Sequence, residues 1–146
     1  MALGFSLIKD PDFTEYRVVR TSGAQAYTIG DLVQEYVTGG VYDVTIAPAA
    51  TTTILAYGVA METIVATATS LLICLITPRQ DWTADVTNAP STSHNMQRMI
   101  LTDKATVNNT GTTDATSAAI FQQRGVVSVT GKRIVGRFLA VSNVTV

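Results

Sequence analysis

The sequence predicts an all-β fold, a small β-barrel or sandwich, and three observations predict it. Thr and Val together supply about a quarter of the chain, and such β-branched side chains, stiff at χ1, suit a pleated surface better than a helix. Short apolar runs are punctuated throughout by Gly, Pro, Asn and Ser, the spacing expected of many short strands. No fixed-period repeat and no linker rich in Pro, Gly or Ser divides the 146 residues, so they read as one domain large enough to fold without metal or disulfide.

The elements follow in order. Residues 1–13 read as an extended N-terminal arm: Phe5, Leu7, Ile8 and Phe13 surround the turn-like Lys9-Asp10-Pro11-Asp12 without clear periodicity. Residues 14–146 form the single β domain. Residues 15–20 alternate as a strand does, and Ser22-Gly23 closes it; residues 26–33 hold a turn and the start of a second strand. Residues 41–46, between Gly39-Gly40 and Pro48, make a third. The β-prone run 51–66 predicts a long strand bent at Gly58, with a helix over 56–66 as the competing reading, since Ala and Met favour it while Thr, Val and Gly oppose it. Residues 70–77, nearly continuous in apolar side chains and stopped by Pro78, predict a central strand.

Between Arg79 and Met99 the composition turns polar, which predicts a long loop excursion carrying Trp82, Pro90 and Ser91-Thr92-Ser93-His94-Asn95. Met99-Ile100-Leu101 returns to the sheet, and Asn108 to Asp114 is a small-polar loop. Strands are expected over 119–124, 125–129 and 133–141, with Gly131 supplying a positive φ at the turn between the last two.

Composition excludes several functions. Charged residues are 14% of the chain against 47% hydrophobic, and the net charge is −1. Without a run of cations, direct binding to nucleic acid is not expected. So uncharged a chain exposes apolar and hydroxyl surface that a partner would hide, which favours a homo-oligomer or a lattice. The longest apolar region, residues 64–76, is too short for a membrane helix and is broken by Thr67, Thr69 and Ser70. The first five residues lack the features of a signal peptide, so synthesis in a cytoplasm is expected. Cys74, the one cysteine, sits in Leu71-Leu72-Ile73-Cys74-Leu75-Ile76 and reads as a buried, inert thiol.

Catalytic chemistry finds little support, and the chain is read as no enzyme. His94, the one histidine, reads as an exposed loop residue; a thiol dyad with Cys74 lacks the positive charge that would hold a thiolate. One Cys and one His make a poor zinc set, and no cofactor is expected. Asp81 and Asp85 read as solvated loop carboxylates rather than a metal loop. No glycine-rich phosphate loop occurs. Gly39-Gly40-Val41-Tyr42-Asp43-Val44 faintly resembles the Tyr-Asp motif of trimeric dUTP nucleotidohydrolases, whose other motifs are missing here. The sequons Asn108-Asn109-Thr110 and Asn143-Val144-Thr145 carry no meaning without secretion.

One resemblance extends over most of the chain. Ile29-Gly30-Asp31-Leu32-Val33, then Tyr57-Gly58-Val59-Ala60, then an apolar strand ending in Thr77-Pro78, then Leu101 to Thr112, Phe121, Gly125-Val126-Val127 and Arg133 to Leu139 are together similar in order to the small β-barrel decoration, or cement, proteins of tailed-bacteriophage heads. The resemblance implies a protein made in the host cytoplasm that binds the outside of the capsid lattice, with the major capsid protein as partner and a trimer or dimer as its own state. It would stabilise the shell mechanically, many copies each adding modest buried area. Phe5 and Phe13 of the arm, and Trp82 of the polar excursion, are the expected interface anchors. The alternatives are another virion part, such as a head-completion, tail or fibre-base protein, or a non-viral binding module using a pocket in residues 80–97.

Overall fold

The computed structural model describes residues 3–10, 14–21, 25–38, 41–46, 55–109, 119–139 and 141, with side chains left out for 36–38 and 41–46. Eleven strands and one 3-10 turn, Thr92–His94, make up the described elements. The strands are β1 (Ser6–Lys9), β2 (Tyr16–Arg20), β3 (Leu32–Thr38), β4 (Val41–Ile46), β5 (Gly58–Ala60), β6 (Ser70–Leu75), β7 (Asp81–Val86), β8 (Arg98–Asp103), β9 (Thr106–Asn108), β10 (Phe121–Ser128) and β11 (Arg133–Phe138). The expected all-β class is what the chain adopts, as a small barrel with an attached sheet.

The barrel runs β7-β11-β10-β8-β9 and closes where β9 pairs in parallel with the end of β7, Asp85 opposite Thr106 and Val86 opposite Val107. The preceding half of that same β7 edge takes β1, Ser6 opposite Thr83 and Leu7 opposite Trp82, with an irregularity before Lys9. Closure leaves no free edge in the barrel itself and moves the edge to β1. The second sheet runs β2-β6-β5-β3-β4, all antiparallel. Its outer strands β2 and β4 approach each other, so it curls round a cluster of Tyr27, Val33, Tyr57, Ala60, Leu71 and Ile73.

Alternation explains how one sheet serves two cores. On β5 and β6, Ala60 and Ile73 face the curled sheet's own cluster, while Val59 and Cys74 face the other way into the barrel core with Leu32. There they meet Phe5, Trp82, Phe121 and Phe138, whose rings contact one another at centroid distances of 5.0 to 5.8 Å in tilted and edge-on geometries.

Several expectations are corrected. The polar excursion contains β7, an interior strand whose side chains alternate: Trp82, Ala84 and Val86 point into the barrel, and Asp81, Thr83 and Asp85 point outward. Asp81 and Asp85 are therefore cross-strand partners of Arg137 and Arg133 on β11, not free loop carboxylates. The arm does not stand apart, since β1 completes the barrel edge. In the run 51–66 the described strand is only Gly58–Ala60; the chain leaves the sheet at Glu62, whose Oε1 accepts the Leu72 N–H at 2.8 Å. Residues 119–129 give one irregular strand rather than two. The positive φ of the last hairpin falls on Lys132, at 51°, and not on Gly131.

Candidate interaction surface

The N-terminal segment is tied down by specific chemistry. Asp85 Oδ2 accepts the backbone N–H groups of Leu3 and Gly4, at 2.7 and 2.8 Å, while its Oδ1 pairs with Arg133 Nη1, and Arg133 also donates to the Gly4 carbonyl. Both charged groups are largely buried, so the pair is held by added hydrogen bonds rather than by charge alone. Gly4 and Gly30 cross backbone to backbone at positive φ, 65° and 93°, and a Cβ on either would meet the other strand's carbonyl oxygen at 2.5 Å. The Phe5 N–H then donates to the Gly30 carbonyl at 2.9 Å, which sends the phenyl ring into the core.

A second anchor lies at the other end of β1. Gln80 is fully buried and uses both ends of its amide: Oε1 accepts the Thr77 N–H and the Trp82 indole N–H, and Nε2 donates to Asp10 Oδ2 and the Leu75 carbonyl. Asp10 Oδ2 also accepts the Thr14 hydroxyl at 2.6 Å. Asp10 and Thr14 are thus tied to the same polar hub that orients Trp82.

Between these anchors β1 and the curled sheet leave a groove of about 450 Å³. Phe5, Cys74 and Trp82 lie at its floor and are buried, whereas Leu3, Tyr16 and Ile29 stand on its walls more than half exposed. Pairing of Val18 with Leu72 and of Tyr16 with Cys74 puts Val18 on the same open face, and the Met61 N–H donates to the Leu72 carbonyl beside it. Val18 is 68% exposed. Burial pushes the Cys74 thiol up to about 11, with the Asp10 carboxylate adding to the rise. The side chain is buried, as its sequence setting implied, and carries its proton at neutral pH.

The expected anchors fall differently. Phe5 and Trp82 are 2% and 1% exposed, both within the chain's own aromatic cluster, so neither ring is presented to a partner; the alternation of β7 and the backbone crossing at Gly4 turn them inward. Phe13 lies outside the described residues. The surface that is presented, Leu3, Tyr16, Val18 and Ile29, comes from three separate segments, and each residue alone carries no sequence signal. His94 is half-buried in the 3-10 turn against β10, while Cys74 lies on β6 beneath the groove. Tyr42 and Asp43 fall on β4, with side chains outside the described residues. Among the described residues no group of three or more His, Cys, Asp and Glu could hold a metal ion, and no helix is long and apolar enough to cross a membrane.

A comparison with known families found no matching family model, and none of the curated proteins matches the chain.

Proposed function

We propose that the chain is a structural virion protein that binds the outer surface of a bacteriophage capsid and stabilises the shell. The observation that carries this reading is the apolar groove and its rim, where Leu3, Tyr16, Val18 and Ile29 are each more than half exposed on one face of the molecule. An apolar patch gathered on one face of a sparsely charged domain marks a surface meant to be covered. The resemblance to head decoration proteins supplies the kind of partner, the major capsid protein, and the setting, the capsid exterior after synthesis in the host cytoplasm. A closed barrel cross-tied by Asp81–Arg137 and Asp85–Arg133 pairs suits a mechanical part. Each copy contributes a modest contact, and repetition over a lattice multiplies it.

The test is the copy number of this protein in density-gradient-purified particles, counted against the major shell protein by quantitative mass spectrometry. Hundreds of copies, on the order of one per shell-protein axis of symmetry, are expected. About a dozen copies would make it a portal, tail or fibre part. Absence from the particle would return it to the class of free binding modules.

A further inference from the structure

We infer that His94 and Gln123 hold one internal water molecule as a shared ligand, and that this water fastens residues 88–97 onto the barrel. Neither residue lines the groove, so the site stands apart from the shell reading and does not depend on it.

Gln123 is a fully buried side chain of β10. Its Nε2 donates to the Ser91 carbonyl at 2.8 Å and to Asn95 Oδ1 at 2.9 Å. The Ser91 carbonyl can only accept, so the amide cannot be turned end for end and Oε1 stays an acceptor. The backbone of Gln123 is committed as well: its carbonyl accepts the Met96 N–H at 2.7 Å, and its N–H donates to the Gln97 carbonyl at 3.2 Å. Residues 91–97 thus wrap round this one residue, and His94 sits within the wrap, on the 3-10 turn that touches β10. Among the described residues, Gln123 Oε1 and His94 Nδ1 are both buried and neither meets a hydrogen-bond partner. Two such atoms are costly to leave unpaired.

Water is the ligand whose chemistry suits both atoms. Gln123 Oε1 needs a donor, while a neutral imidazole offers either a lone pair or an N–H at Nδ1. One water gives an O–H to Oε1 and meets Nδ1 with its other O–H or with its own lone pair, and two polar partners suffice to keep a water in a protein interior. The fastening matters at this place because Met96 stands at a φ of 71°, a left-handed conformation that is strained for a residue with a side chain. Both of its backbone groups are taken by β10, the N–H by the Gln123 carbonyl and the carbonyl by Gln122 Nε2 at 3.0 Å. A water on Gln123 adds to the bonds that hold that strained turn closed.

The experiment is nuclear magnetic resonance on the full chain, with water NOE and ROE spectra that separate a long-lived bound water from proton exchange. In the wild type, cross-peaks from one long-lived water to the Gln123 side-chain amide protons and to the His94 ring protons are expected. His94→Asn puts a side-chain amide near the position of Nδ1 and should keep the water; His94→Phe keeps a ring, removes its nitrogens and should lose it. Hydrogen exchange at the Met96 amide should then run about tenfold faster in His94→Phe than in the wild type. Three results would each overturn the proposal: no long-lived water at Gln123 in the wild type, a water that persists unchanged in His94→Phe, or a scalar coupling showing that the His94 Nδ1–H donates directly to Gln123 Oε1. Circular dichroism checks each variant's fold, and should His94→Phe not fold, the wild-type spectra decide alone.

Discussion

Phe5 shows how far a single side chain can depart from its sequence context. It precedes a turn-like polar cluster, yet its ring lies 5.0 Å from that of Phe138 and 5.7 Å from that of Phe121, nearly sealed from solvent. The close crossing of Gly4 over Gly30 directs it there. Phe5→Ala should therefore cost about 3–5 kcal/mol of folding stability. Urea denaturation measures this, and a loss under about 1 kcal/mol would mean that the ring is not part of the core. Removal of residues 1–13 would take the same ring away, so a truncated chain cannot serve as a folded control. Cys74 gives a prediction in pH. Its folded pKa of about 11 lies above the ordinary value of 9.0, so the folded state holds the proton more tightly than the unfolded chain. The stabilisation is complete below about pH 9 and is lost as pH rises through about 11. The wild type should lose up to about 2 kcal/mol over that window relative to Cys74→Ala, compared at each pH by denaturant midpoint. Parallel curves for the two proteins would exclude the thiol as the cause.

At the scale of elements, β7 is the instructive case. Asp-Trp-Thr-Ala-Asp-Val alternates in and out of the barrel, but its outward positions hold two carboxylates, and in sequence that charge reads as a loop. Only the partners reveal the strand: Arg133 and Arg137, some fifty residues later, cover Asp85 and Asp81 across β11. Strands whose apolar spacing and flanking Gly or Pro are local were legible, as β2, β4, β6 and β11 are. Of the three-residue strands, β5 was legible only as part of a longer β-prone run and β9 was not, since three residues carry no period. The groove was invisible for a related reason: its walls come from separate segments joined only by the fold. Asp85 tests the attachment of β1. Asp85→Ala leaves three donors without their acceptor in a mostly buried setting and should cost about 2–4 kcal/mol. It should also speed hydrogen exchange at the amides of residues 3–9. Arg137→Ala, at a more exposed pair, should cost less than about 1 kcal/mol. Equal losses for the two variants would contradict the ranking by burial.

The two curled sheets enclose two apolar clusters that are joined through shared strands. Leu32, Val59 and Cys74 belong to strands of the second sheet and are buried in the barrel core with Trp82 and Phe138, and Ala56 bridges to Val141 across the boundary. Opening either sheet therefore uncovers apolar surface of the other, and the two should unfold together. The chain supplies its own reporter, since Trp82 is its one tryptophan and lies in the barrel core. Leu71→Ala removes a buried side chain from the second sheet's cluster, which does not contain Trp82, and should cost about 2–5 kcal/mol. If the molecule is one cooperative unit, the Trp82 fluorescence transition must move by the full amount and coincide with the loss of β signal in far-UV circular dichroism. A tryptophan transition that stays in place while the far-UV curve splits would show two independent units. The outcome bears on assembly as well: the groove lies between the two sheets, and it can keep a fixed shape for a partner only if they behave as one body.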